Sequence, residues 1–214
     1  MKVIEPSLLA FNIDNIKNQL IEVKDAGATF IHYDVMDGKY VVNKTWTTEH
    51  LNLINDLKMK SNVHLMVEKP FDFINDFIKF PVNLITFHPE VCSEKEIQRC
   101  FDLLTKHHIK KGLTIRLETN IDKYLEFISK SDYVCVMSVT PGKGGQLFEI
   151  KSIDNLKKIN QIKKNNPNLI IQLDGGVNCE VIKQTSNLVD HFIIGSFLMK
   201  QNNKKQLFDF VKSL

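Results

Sequence analysis

Three short strings hold the side chains best suited to chemistry: His32-Tyr33-Asp34, at the head of the run to Gly38; His64 in Val63-His64-Leu65-Met66; and Asp174, just ahead of Gly175-Gly176. His32 and Asp34 are two residues apart, so on a strand their side chains leave the same face. A His-x-Asp pair on its own is a common structural pairing. His64 and Asp174 add two donors of matching type. Two imidazoles and two carboxylates converging on one spot make a site for a divalent metal ion with an acid and a base built into its donor set. Mixed nitrogen and oxygen donors suit Zn2+, Fe2+, Mn2+ or Co2+, and the sequence does not choose among them.

Glycine-rich strings lie close by in the pattern. Pro141-Gly142-Lys143-Gly144-Gly145-Gln146, Gly175-Gly176 and Gly195-Ser196 each follow an apolar run. Any one of them reads as a tight turn. Three at neighbouring strand ends read as a nest of backbone N–H groups for a phosphate. Arginine is confined to Arg99 and Arg116, so an anion must be held by backbone N–H groups or lysine rather than by guanidinium forks. Met36, Met66 and Met137 fall near the same ends, either filling the core or lining the site with apolar surface that excludes water.

The elements that must position these residues follow from the pattern of apolar runs. Strand-like runs recur at Val3–Leu9, Thr29–Met36, Asn62–Val67, Leu84–His88, Gly112–Leu117, Tyr133–Val139, Leu169–Asp174 and Phe192–Gly195. Between them the apolar spacing is helical, as at Ile13, Ile16, Leu20 and Val23, at Ile97, Phe101 and Leu104, and at Ile153, Leu156, Ile159 and Ile162. Further helices are expected at Thr47–Leu57, Phe71–Phe80, Ile121–Ser129, Glu180–Ser186 and Gln206–Val211. Asn12 or Asp14 starts the first helix, Gly27 ends it, and Glu68-Lys69-Pro70 marks a break before the third.

Alternating strands and helices in units of about thirty residues imply right-handed parallel crossovers. The fold class is α/β, and the economical closure is a (β/α)8 TIM barrel forming one catalytic domain over residues 1–214. A doubly wound open sheet shares the alternation. The polar residues decide between them: Ser7, His32, Asp34, His64, His88, Ser138, Asp174 and Ser196 all fall at the C-terminal ends of the runs. The starts carry Lys2, Asn83, Lys111 and Asp132 instead. A barrel brings the first set to one mouth, whereas an open sheet separates several of them too far to cooperate.

Composition narrows the partners. The formal net charge of +3 is too small for a nucleic-acid groove, and Lys163-Lys164 and Lys204-Lys205 read as solvated helix faces. No apolar run is long enough to span a bilayer, and no basic-then-apolar leader opens the chain. Cys92, Cys100, Cys135 and Cys179 show no CxxC spacing, which suits a reduced, cytoplasmic setting; Cys135, inside an apolar run, reads as core. A small phosphorylated molecule is the expected partner, with neither nucleic acid nor membrane, and a homo-oligomer stays open.

Taken in order, these strings resemble the ribulose-phosphate 3-epimerase family of the pentose-phosphate pathway. The match runs from Pro6-Ser7-Leu8-Leu9 through the string from His32 to Gly38, Asn43, His64-Leu65-Met66-Val67, His88 and Val136-Met137-Ser138-Val139. It continues through Pro141-Gly142, Gly144-Gly145-Gln146, Asp174-Gly175-Gly176-Val177-Asn178 and Gly195-Ser196. The resemblance implies that His32, Asp34, His64 and Asp174 hold the metal, and that Asp34 and Asp174 exchange the C3 proton of D-ribulose 5-phosphate through a cis-enediolate to give D-xylulose 5-phosphate. It also implies substrate contacts from Ser7 and His64, and a phosphate pocket built from Gly142, Gly144, Gly145, Gly175, Gly176, Gly195 and Ser196. The role of His88 is left open.

Val42, Thr140 and Lys143 depart from the family pattern, which usually has proline, asparagine and phenylalanine there. Lys143 is expected to face solvent, and Arg116 with Glu118 reads as a rim ion pair. Competing readings are 3-epimerisation of a hexulose 6-phosphate such as D-allulose 6-phosphate, a metal-free lyase or decarboxylase on the same barrel, and a non-catalytic phosphate-binding barrel.

Overall fold

The computed structural model describes residues 1–45 and 47–214. Eight strands form one all-parallel sheet: β1 Val3–Pro6, β2 Phe30–Met36, β3 Lys60–Met66, β4 Val82–Phe87, β5 Lys110–Ile115, β6 Tyr133–Met137, β7 Ile170–Asp174 and β8 His191–Ile194. The spatial order is β1-β8-β7-β6-β5-β4-β3-β2. A parallel bridge from Ser7 to His32 joins the two ends, so the expected (β/α)8 barrel is formed.

The strands sort their residues by parity. Tyr33 and Val35 of β2, Val63 and Leu65 of β3, and Leu173 of β7 belong to the apolar cluster that also takes Leu20, Val23, Ile74 and Leu104 from the helices. That cluster is the layer between barrel and helices. The alternate residues, His32, Asp34, His64 and Asp174 among them, are left to the lumen.

Helices are α1 Ile16–Ala26, α2 Leu51–Asp56, α3 Pro70–Phe77, α4 Glu94–Lys106, α5 Leu125–Ser129, α6 Ser152–Lys163, α7 Cys179–Thr185, α8 Ser196–Met199 and α9 Lys204–Lys212. α4 shows how local sequence sets one of them. Ser93 and Glu96 form a reciprocal capping box, and Ile97, Cys100, Phe101 and Leu104 are buried on one face; such a cap contributes about 1 kcal/mol. Gly27, at φ +118°, ends α1 as expected, and Pro70 opens α3. Asn12 caps a short 3-10 turn, Ile13–Asn15, rather than α1 itself.

Several boundaries differ from expectation, each for a local reason. In the run Val3–Leu9 the strand ends at Pro6, Ser7 adds a single bridge to His32, and the chain then enters a 3-10 turn at Leu8–Ala10. Helix α2 starts at Leu51 rather than Thr47, because the Thr47 N–H is taken by the Glu49 carboxylate at 2.6 Å, a local turn that competes with helix. β5 stops at Ile115, where the Arg116 N–H turns to the Thr119 hydroxyl at 2.9 Å. The segment Ile121–Ser129 divides into a 3-10 turn over Ile121–Tyr124 and then α5. Among the described residues no helix is long and apolar enough to cross a membrane.

Candidate active site

β2 and β3 deliver the first three donors. Their register sets Asp34 beside His64, while His32 lies two residues before Asp34 on the same face. The Asp34 Oδ1 atom is 3.2 Å from His32 Nε2 and 3.2 Å from His64 Nδ1. Its Oδ2 accepts a hydrogen bond from the Ser7 hydroxyl at 2.9 Å. Asp174, the last residue of β7, brings Oδ2 to 3.7 Å from His32 Nε2 and 3.9 Å from His64 Nδ1. β1 and β8 separate the two carboxylates around the barrel.

The two carboxyls are pushed in opposite directions. Burial raises the Asp34 carboxyl, but the charge and hydrogen bond of His32, followed by those of His64, outweigh it and hold the group well below the usual carboxylate range. Burial also raises Asp174; there the neighbouring Asp34 charge opposes the histidines, and the carboxyl stays above its ordinary value. Burial lowers His32, yet the Asp34 charge and hydrogen bond, with Asp174 and Glu5, raise it to about 9. Two carboxyls with separated proton affinities are the usual signature of an acid and base pair.

A metal ion fits this donor set. One ligand atom from each of His32, Asp34, His64 and Asp174 lies within 4.8 Å of all the others. Bonds of about 2.0–2.2 Å place neighbouring ligands about 3 to 4 Å apart, and the nitrogen-to-oxygen separations of 3.2 to 3.9 Å match. Two imidazole nitrogens and two carboxylate oxygens suit a divalent ion of the first transition row.

Beneath the four donors lies a polar layer that the motifs did not single out. Glu5, fully buried, accepts from Asn62 Nδ2 on Oε2 at 2.8 Å and from Gln172 Nε2 on Oε1 at 2.8 Å, and His191 Nδ1 is 2.5 Å from Oε1. Asn62 in turn accepts from Asn83 at 2.7 Å. Burial raises the Glu5 carboxyl, but the His191 hydrogen bond and charge, with His32 and Asn62, bring it below its ordinary value. The signal was present in the sequence as a period of two: Glu5, Asn62 and Gln172 stand two residues before Ser7, His64 and Asp174.

Above the donors opens a cavity of about 270 Å³. Ser7, Asp34 and Asp174 line it, with Met36, Met66 and Met137 as its apolar wall. The glycines expected at a phosphate, Gly142, Gly144 and Gly145 after β6, Gly175 and Gly176 after β7 and Gly195 with Ser196 after β8, line it too. Gly175 and Gly176 have φ values of +113° and +61°, and a Cβ on Gly176 would stand 2.3 Å from the Phe148 nitrogen. No other residue fits there. His32 and His64, 1% and 0% exposed, lie behind the carboxylates rather than on the wall.

The remaining rim residues take separate places. Ser138 donates to the carbonyls of Asp174 and Gly175 at 3.0 and 2.6 Å, fixing the turn that carries the glycines. Lys143 is exposed at the cavity mouth. Arg116 and Glu118 form the rim pair at 3.5 Å. Cys135 is fully buried. Asn43 donates to the Gly142 carbonyl at 2.7 Å and links the loops after β2 and β6.

Comparison with known proteins agrees with this geometry. The Mycobacterium tuberculosis tryptophan synthase structure superposes with a TM-score of 0.70 at 12% identity, covering 99% of this chain and 91% of that one. Orotidine 5'-monophosphate decarboxylase from Methanocaldococcus jannaschii superposes with a TM-score of 0.66 at 18% identity, covering 100% and 98%. These likenesses show the fold alone. At the sequence level, ribulose-phosphate 3-epimerase of Mycoplasma genitalium is 37% identical over 175 residues, 81% of each chain. The Bacillus subtilis and Escherichia coli K12 proteins of the same name are each 31% identical, covering 95% and 99% of this chain and 94% and 95% of theirs. The family model described as "Ribulose-phosphate 3 epimerase family" matches residues 3–199, and with the relatives it shows that this chain belongs to the ribulose-phosphate 3-epimerase family, a family of isomerases.

Proposed function

We propose that the chain is a metal-dependent epimerase that inverts C3 of D-ribulose 5-phosphate to give D-xylulose 5-phosphate, and the reverse, as one catalytic barrel over residues 1–214. The observation that carries this reading is the convergence of Asp34 and Asp174 from β2 and β7 beside two buried histidines. Inversion needs a base on one face of a planar intermediate and an acid on the other. Asp34, held ionised, is the base that takes the C3 proton in one direction. Asp174, whose carboxyl retains a proton more readily, returns one to the opposite face. In the reverse direction the two exchange duties.

His32, Asp34, His64 and Asp174 would hold the ion, Zn2+, Fe2+, Mn2+ or Co2+, which when bound supplies Lewis-acid stabilisation of the negative charge that develops on the C2 and C3 oxygens. Ser7 orients Asp34 through its hydrogen bond at 2.9 Å. The three methionines keep water from the reacting carbon. Backbone N–H groups of the loops after β6, β7 and β8 anchor the phosphate, which fixes the distance from C5 to the carboxylates. The likeness to ribulose-phosphate 3-epimerases favours the pentulose phosphate over a hexulose phosphate.

An assay on D-ribulose 5-phosphate, run before and after chelation with metal analysis of the purified protein, tests the reading. Activity that persists unchanged in metal-free protein, or a higher kcat/KM on D-allulose 6-phosphate, would overturn it.

A further inference from the structure

One fully buried imidazole has no part in the proton transfer described above. His88 follows β4, is 0% exposed, and sets its Nε2 3.0 Å from Nε2 of His64. The two rings lie 5.1 Å apart at 46°. Its second nitrogen, Nδ1, is buried without a hydrogen-bond partner and faces Glu90 Oε2 at 4.0 Å. Glu90 sits in the short turn Pro89–Val91, where its other oxygen accepts from the Thr119 hydroxyl. Thr119 is itself fixed by the Arg116 N–H. The Tyr40 ring, 4.8 Å from His88 at 31°, closes the remaining side.

Two ring nitrogens in contact need one proton between them, so one donates and the other accepts. His64 Nδ1 is also 3.2 Å from Asp34 Oδ1. With no ion, Nδ1–H of His64 donates to Asp34, and its Nε2 accepts from His88 Nε2–H. An ion that takes the lone pair of His64 Nδ1 requires the other tautomer. Then His64 Nε2–H donates to His88 Nε2, and the proton of His88 stands on Nδ1, facing the Glu90 carboxylate.

We propose that Glu90, His88 and His64 form a relay of imidazole tautomers that orients His64 toward the metal, with His88 and Glu90 as positioning residues; this rests on the metal reading above. Filling the site moves three protons by one place each. The proton on His64 Nδ1 is released to solvent, the shared proton crosses from His88 Nε2 to His64 Nε2, and His88 Nδ1, facing the ionised Glu90, takes one proton from solvent. The two rings end with the same number of protons as before. Glu90 favours the filled state, since its charge attracts an N–H on His88 and repels a lone pair there. Outer partners of this kind typically raise metal affinity by about 10- to 100-fold.

The test uses the full chain, stripped of metal and then given one equivalent of Zn2+. Long-range 1H–15N spectra of the histidine rings should show His88 change from Nε2–H to Nδ1–H on loading, and His64 change from Nδ1–H to Nε2–H. By chelator competition, His88→Phe should bind Zn2+ about 10- to 100-fold more weakly. Glu90→Gln should lose less, and His88→Gln, whose amide oxygen can accept from His64 Nε2–H, should recover most of the affinity. If wild-type protein takes up no Zn2+, the metal reading fails and the relay with it. If Zn2+ binds but His88 keeps its proton on Nε2, or His88→Phe binds as wild type does, the relay alone is overturned. The wild-type spectra need no variant, so a misfolded His88→Phe leaves the question decidable.

Discussion

Ser7 donates its hydroxyl to Asp34 Oδ2 at 2.9 Å across the seam where β1 and β2 are joined by the Ser7–His32 bridge. One contact therefore helps close the barrel and fixes which oxygen of Asp34 faces the cavity. Ser7→Ala should lower melting by roughly 2–4 °C for a loss of about 1 kcal/mol, and should lower kcat about tenfold while the phosphate anchor leaves KM nearly unchanged. An unaltered kcat would show that the hydroxyl does not orient the base.

Asp34→Asn and Asp174→Asn test the proposed base and acid in turn. Each should lower kcat by about 10²- to 10⁴-fold with the fold retained by circular dichroism. Single-turnover exchange of the C3 proton into deuterated water separates the two: loss of exchange from D-ribulose 5-phosphate is expected for Asp34→Asn. Turnover within twofold of wild type in either variant would remove that residue from the chemistry.

Metal removal should abolish epimerisation and lower stability together. At free metal about 100 times the dissociation constant, binding contributes about 2.7 kcal/mol, which for a chain of this size is roughly 5–11 °C in Tm. Thermal melts with and without chelator measure it, and superimposable curves would count against a resident ion.

The Glu5 layer predicts how stability responds to acid. Its folded carboxyl lies below the ordinary value, so its stabilisation is complete above the unfolded value of about 4.3 and is lost as pH falls through the folded one. Glu5→Gln should cost about 1–3 kcal/mol at pH 7, since the amide sets a donor against Gln172 or Asn62. The gap from wild type should close as urea melts are taken below about pH 4. A gap constant from pH 7 to pH 3 would contradict the assignment.

Gly176→Ala places a methyl 2.3 Å from the Phe148 nitrogen at φ +61°. The loops after β6 and β7 must then separate. KM for the phosphorylated sugar should rise by about tenfold or more, with a smaller fall in kcat, because the anchor is disturbed before the carboxylates are. Equal effects on both constants would place Gly176 outside the anchor.

The parallel order and the site were legible because both follow from residues at strand ends. His32, Asp34, His64 and Asp174 carry their own direction through a period of two, and eight βα units leave few ways to arrange them. Element boundaries were less legible because single side chains move them: Glu49 delays α2 and Thr119 ends β5. The short helix α8 is one turn long, too short for periodicity to register. The pairing of His88 with His64 depends on how β3 and β4 align, a relationship between strands that spacing within either one does not contain.

The Glu5 layer also bears on how molecules would reach the site. Glu5, Asn62 and Gln172, at most 1% exposed, fill the lumen beneath the donors. On the function proposed above, substrate and product share the cavity lined by Ser7, Asp34 and Asp174, so two sugars that differ only at C3 compete for the same seat.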